Sequence, residues 1–196
     1  MPIERSPERD AAIRAMLPQV PEFGWTKTAL RRGLAETGGD AADAELLFPG
    51  GVVDMVATYA DMADRDMERE AAARDIGALR LSQRVRAIVA LRLEQSRPHR
   101  EAVRRALAVL MLPGRLRFAF PITARTIDTI WYAAGDRSAD VSWYTKRLIL
   151  AGVYSATLLV WLRDTSDDDA DTLEFLDRRL AGVAKLGRLR RTSPAS

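Results

Sequence analysis

Two Trp-Tyr pairs, Trp131-Tyr132 and Trp143-Tyr144, flank a short loop from Gly135 to Asp140, and Lys146 and Arg147 follow the second pair. On a helix starting near Val141, the residues Asp140, Trp143, Tyr144 and Arg147 fall at i, i+3, i+4 and i+7, so they project from one face. Trp, Tyr and Arg are the types enriched in binding hot spots. Steered by a carboxylate, such a set suits recognition of a partner better than bond-making chemistry. The opposite face of the same helix, with Leu148, Val153, Leu159 and, on its flank, Leu150, is expected to pack inward.

Residues suited to catalysis are scarce. His99 is the only histidine and there is no cysteine, so thiolate metal sites, cysteine nucleophiles and the paired imidazoles of a Glu-x-x-His di-iron bundle are excluded. His99 begins a helix in Arg97-Pro98-His99-Arg100 and reads as an exposed side chain. No Gly-rich phosphate loop occurs, and Gly50-Gly51 reads as a turn. Carboxylate neighbours such as Asp164 with Asp167, or Glu68 with Glu70, read as solvated helix faces. The sequence therefore points away from an enzyme, and no metal or other cofactor is expected.

The chain that must position these groups has 196 residues, 47% of them hydrophobic, with 30 basic residues against 27 acidic ones. That is enough apolar content for a sizeable core. Arginine supplies nearly all of the positive charge, since lysine occurs only at 27, 146 and 185. With abundant alanine, this suggests a GC-rich bacterial source. The opening residues lack the apolar stretch of a signal peptide and carry Glu4, Glu8 and Asp10, which a transit peptide avoids. The longest uncharged run, Leu148 to Leu162, falls short of the about 20 residues of a spanning helix and reads as a buried core helix.

Helix signals dominate. Ser6-Pro7 reads as an N-cap with proline at N1, followed by Ile13, Met16, Leu17 and Val20 at helical spacing. After a break at 18–24, Thr26 caps a second helix to Thr37, Gly38-Gly39 closes it, and Asp40 caps a third from Ala41 to Leu47. Longer helices are predicted over 52–74, 79–95, 98–111, 122–134, 141–163 and 170–186, the last capped by Asp167-Asp168-Asp169. A looser segment between Pro113 and Pro121 holds Phe118 and Phe120. The fold class is all-α: a bundle like those of TetR regulators, with three short N-terminal helices and about six longer ones. Residues 1–50 form a helix-turn-helix-like module, 51–187 a helical domain, and 188–196 a basic, then polar tail.

Such modules read DNA with basic and polar side chains on their third helix. Here that helix carries Asp43 and Glu45, Asp40 caps it, and it has neither Arg nor Lys. Carboxylates facing a polyanion are repelled and release no counterions. The scaffold of a ligand-responsive transcriptional regulator is the alternative reading, with its DNA-reading surface lost, so nucleic acid is not an expected partner.

The segment "IWYAAGD…D…WYTKR…LAGVY" resembles the signature of a lipid-binding ubiquinone-biosynthesis family with a TetR-like fold. "MLPQVPEFGWTKTALRRGLAETG", "LLFPGGVVDMV", "RVRAIVALRLEQSRPHREAVRRALAVLMLP" and "DTLEFLDRRLAGVAKLG" extend the likeness from about Ile13 to Gly187. The resemblance implies a protein that binds isoprenoid quinone intermediates or other lipids and presents them to the di-iron demethoxyubiquinone hydroxylase. It assigns the docking patch to Trp143, Tyr144, Thr145, Lys146 and Arg147, with Asp136 and Asp140 at the acidic positions before them. It also implies peripheral attachment to a membrane, here the cytoplasmic side of a bacterial inner membrane, and a homodimer is compatible with it.

Apolar candidates for the lipid site, between the central helices, are Val85, Ile88, Val89, Leu107, Leu110, Met111, Phe118, Phe120, Ile122, Ile127, Ile130, Leu158 and Trp161. Eukaryotic members carry a further C-terminal amphipathic helix that engages the membrane. In this chain the expected equivalent is the last helix with its tail, where Lys185, Arg188, Arg190 and Arg191 cluster around Leu186 and Leu189. Each basic side chain near an anionic surface contributes about 1 kcal/mol.

Overall fold

The computed structural model describes residues 3–74, 76–136 and 142–192, the side chains of 142 and 186–192 excepted. Among these residues the secondary structure is helical throughout: α1 (Pro7–Met16), α2 (Val20–Phe23), α3 (Lys27–Glu36), α4 (Asp43–Leu47), α5 (Gly51–Ala73), α6 (Leu81–Ser96), α7 (Arg100–Leu110), α8 (Leu116–Ala133), α9 (Ser142–Trp161) and α10 (Ala170–Thr192), with 3-10 turns at Leu17–Gln19, Arg97–His99 and Asp167–Asp169. The all-α fold class expected above is the one observed among the described residues.

Ser6 caps α1 by accepting from the Arg9 N–H, and Thr26 caps α3 by accepting from the Ala29 N–H. The expected break over 18–24 contains an extra one-turn helix, α2, entered through prolines that cost little at a helix start. The segment between Pro113 and Pro121 is tighter than expected. α8 begins at Leu116 and carries Pro121 inside it, because the turn bonds from Arg115 N to Leu112 O and from Phe118 N to Arg115 O set up its first turn.

Contacts divide the chain into two compact units, 1–67 with 95–126 and 68–94 with 127–196. The expected 1–50 module lies within the first unit. There α1 packs on α3 so closely that a Cβ at Gly33 would stand 2.3 Å from the Ala15 carbonyl oxygen, so only glycine fits. α1 is also tied to α5 by charge. Arg9, 3% exposed, donates to Asp54 at 2.5 Å, to Thr58 at 2.9 Å and to the Leu47 carbonyl, and its guanidinium lies over the Phe48 ring. Arg5 and Arg65 both hold Asp61, and Arg65 also pairs with Asp10. Trp25 donates to the Ala102 carbonyl at 2.9 Å, which joins α7 to this unit. His99 is half-buried, not exposed as expected, and burial lowers its pKa.

In the second unit α9 packs on α10. Trp161 is fully buried and donates to Asp169 at 3.2 Å. The expected cap of α10, the acidic run 167–169, forms a 3-10 turn with Asp168 and Asp169 at positive φ. Asp164 does the capping. It accepts from the backbone N–H of both Ser166 and Thr172 at 2.8 Å and from both hydroxyls. Burial works to raise the Asp164 carboxyl, but these hydrogen bonds outweigh it and hold the group far below the usual carboxylate range.

Candidate functional site

The second unit contains an apolar cleft of about 370 Å³. α6 contributes Leu81, Ser82 and Val85. α8 contributes Trp131. α9 contributes Lys146, Ile149, Leu150 and Val153, and α10 contributes Leu180, Val183 and Ala184. The volume falls in the range of ligand sites, about 300–1,000 Å³ lined mostly by hydrophobic side chains with a few placed polar groups. The polar groups here are the Ser82 hydroxyl, the Lys146 ammonium and the Trp131 indole. The Trp131 Nε1 is buried and has no hydrogen-bond partner. A buried N–H left without an acceptor costs about 1–3 kcal/mol, a cost that a ligand carbonyl or hydroxyl within reach would remove.

Local sequence explains how this wall is built. Gly135 takes φ +78° and closes α8 with two bonds, from its own N–H to the Tyr132 carbonyl and from the Asp136 N–H to the Trp131 carbonyl. This is the Schellman arrangement, and it favours glycine at the left-handed position. Arg84 of α6 donates to the Ala134 carbonyl at 2.9 Å, which ties the end of α8 to α6. The chain then leaves α8 with Asp136 directly behind Trp131. Lys146 reaches from α9 to pair with Asp136 at 3.2 Å, its ammonium 5.9 Å from the centre of the Trp131 ring.

The expected recognition patch thus divides in two. Lys146 lines the cleft, and its head is drawn to Asp136, whose side chain is only 7% exposed. Trp143, Tyr144 and Arg147 form an outer ridge. The Arg147 guanidinium lies 3.7 Å from the centre of the Trp143 ring, its Nε donates to Asp128 on α8, and its Nη1 is buried without a partner. Tyr144 meets Trp143 edge to face at 4.7 Å and is 70% exposed. Asp140 lies outside the described residues.

The inward face of α9 is not the one expected. Its inward stripe is Leu150, Val153, Tyr154, Thr157 and Trp161, whereas Leu148 and Leu159 are 68% and 60% exposed. Residues two apart on a helix stand about 200° apart, so Leu148 cannot share the side of Leu150. It lies instead in line with Tyr144.

Of the expected lipid contacts, Val85 lines the cleft. Ile88, Val89, Leu110, Ile127, Ile130 and Trp161 are buried core, and Leu107 and Leu158 are half-buried. Phe118 and Ile122 line a pocket of about 80 Å³ in the first unit. Met111 and Phe120 are 67% and 74% exposed, because they stand on the outer side of the corner between α7 and α8. The α10 wall (Leu180, Val183, Ala184) and the α6 entrance (Leu81, Ser82) were not foreseen. Their only signal was an apolar spacing of three to four residues, which core and cleft share. Lys185 is exposed, and the side chains of Leu186, Arg188, Leu189, Arg190 and Arg191 lie outside the described residues.

A wider groove, about 970 Å³, lies in the first unit between α1, α3 and α4, with Glu8, Glu36 and Asp43 among its lining residues. On α4 Glu45 pairs with Lys27 and Arg31 of α3, so two basic side chains that could meet a phosphate are bound to a carboxylate. No cluster of potential metal ligands occurs among the described residues, and no helix there is long and apolar enough to cross a membrane.

A family model described as COQ9 matches residues 116–187, a span that includes the α8, α9 and α10 walls of the cleft and the whole ridge. The chain is 34% identical over 181 residues to the ubiquinone biosynthesis protein COQ9, mitochondrial, of Xenopus tropicalis, matching 89% of this chain and 57% of that protein. The human protein of the same name is 32% identical over the same shares. The Schizosaccharomyces pombe relative is 30% identical over 174 residues, 89% of this chain and 69% of its own length. The chain thus spans little more than half the length of its vertebrate relatives. The crystal structure of a TetR transcriptional regulator from Nitrosomonas europaea superposes with a TM-score of 0.72 over 91% of this chain and 99% of that one, at 21% identity. That likeness is one of fold.

Proposed function

Because the chain belongs to the COQ9 family, we propose that it serves ubiquinone biosynthesis as a lipid-binding accessory protein that carries isoprenoid quinone intermediates to the demethoxyubiquinone hydroxylase. The observation that carries this reading is the apolar cleft of the second unit, most of whose wall lies in the segment matched by the family model. Its aliphatic walls suit a polyisoprenoid chain. Lys146 and the unpartnered Trp131 N–H suit a ring oxygen, each as a hydrogen-bond donor. The hydroxylase supplies the redox chemistry, and this chain supplies binding and orientation.

Trp143, Tyr144 and Arg147 are the proposed docking ridge. Arg147 is held by Asp128 and stacked on Trp143, so little side-chain freedom is lost when a partner arrives. The setting is the surface of the membrane that holds the quinone, in a bacterium the cytoplasmic face of the inner membrane. The regulator alternative finds no comparable support, since α4 presents carboxylates where a reading helix needs donors.

Organic extraction of the purified protein followed by mass spectrometry tests the reading. A co-purified isoprenoid quinone or a precursor of one is expected, and lipid-free protein in every preparation would contradict it. Tyr144→Ala, a change at an exposed side chain, is expected to weaken hydroxylase capture about tenfold or more while leaving the lipid content unchanged.

A further inference from the structure

The corner between α7 and α8 combines two features found together nowhere else among the described residues of the first unit. Met111, Leu112, Leu116 and Phe120 are exposed by 67%, 47%, 56% and 74%. Around them, from Ala102 to Ile127, the sequence carries five arginines and not one aspartate or glutamate. Arg104 and Arg105 both pair with Glu101, so the positive excess falls on Arg115 and Arg117, which alternate with the exposed apolar residues.

The backbone shapes the corner. α7 ends at Leu110, Gly114 takes φ +81°, and the Arg115 N–H returns to the Leu112 carbonyl at 3.0 Å. α8 starts at once, which sets Leu116 and Phe120 one turn apart on the same face.

We infer that this corner is a membrane-inserting element whose occupant is an anionic phospholipid surface. Leucine, methionine and phenylalanine side chains exposed next to arginines form the pattern of segments that lie in the interfacial layer. Arginine suits that layer because its stem can lie among acyl chains while its head stays with the phosphates. A second copy meeting the same patch across a two-fold axis would set arginine against arginine, and no carboxylate in the segment relieves that repulsion. None of these residues belongs to the basic end of α10 that the sequence suggests as a membrane contact. It does not depend on what fills the cleft.

Flotation of the full chain with vesicles of phosphatidylcholine, alone or mixed with phosphatidylglycerol, tests the inference. Binding to the anionic vesicles is expected, falling with added salt. Leu116→Ser with Phe120→Ser is expected to lower the bound fraction at least tenfold. Arg115→Gln with Arg117→Gln is expected to remove the preference for the anionic lipid. Both pairs change surface positions, so the circular dichroism spectrum should be preserved.

Because the chain has no cysteine, Phe120→Cys can carry a single environment-sensitive fluorophore, and its emission should shift to the blue on anionic vesicles. Flotation equal to that of the unaltered chain in the Leu116, Phe120 pair would overturn the inference. So would flotation lost only when Lys185, Arg188, Arg190 and Arg191 are replaced, or a label that stays in water. A concentration-dependent dimer abolished by the Leu116, Phe120 pair would overturn it as well and assign the face to a second copy.

Discussion

The two units differ in what their helices enclose. In the first, Arg9 reaches Asp54, Thr58, a backbone carbonyl and an aromatic ring at once, and Asp61 sits between Arg5 and Arg65. Burial works to raise the Asp61 carboxyl, but the bonds from Arg5 and Arg65 outweigh it and lower its pKa. In the second, the walls are apolar, a cleft stays open, and Trp131 keeps its N–H without a partner. One region uses its polar chemistry to hold helices together. The other keeps an apolar cleft beside its own polar ties at Arg84 and Asp164.

Arg9→Met should have the largest effect on the first unit. It leaves Asp54 buried without its cation, and breaking a buried pair from one side costs about 3–5 kcal/mol. Urea denaturation should show that loss, and a loss under about 1 kcal/mol would mean that the network is not the tie it looks to be. Leu150→Ala in the cleft wall should cost about 2–5 kcal/mol as a buried truncation, at the lower end because the open cleft gives the neighbours room to relax.

Asp164→Asn removes the charged acceptor of the α10 cap, where such hydrogen bonds are worth about 1.5–3 kcal/mol. The folded-state pKa of Asp164 is depressed, so its contribution is present above the ordinary carboxylate range. It is lost as pH falls below that range toward the depressed value. The stability gap between the unaltered chain and Asp164→Asn should therefore be full near neutrality and close in strong acid, and a gap that widened on acidification would contradict the capping role. The smallest effect sharpens the geometry of α9: Leu148→Ala, at an exposed position, should change stability by about 0.5 kcal/mol or less, although the sequence suggests an inward-facing leucine.

What the sequence discloses and what it hides follow from physics. Caps are local, so Ser6, Thr26 and the Gly38-Gly39 stop could be read directly. The Trp-Tyr segment stands out as a candidate recognition site because its residue types are unusual together. The orientation of α9 could not, because leucine stands on both of its sides and hydrophobic period fails when both faces are apolar. Lys146 and Arg147 are neighbours in sequence, yet they serve the cleft and the ridge respectively, a division set by Asp136 and Asp128 on a different part of the chain. The cleft itself is missing volume. Leu180 and Val183 have the same spacing whether they touch a neighbour or a ligand.

If the cleft is the seat of a long-chain lipid, filling it should expel that lipid. Val153→Trp places an indole among Val85, Leu150 and Leu180, and lipid content is then compared with that of the unaltered chain by quantitative mass spectrometry. A folded variant that has lost its co-purified isoprenoid is the predicted result. The same lipid, retained in the same amount beside the new tryptophan, would contradict the account.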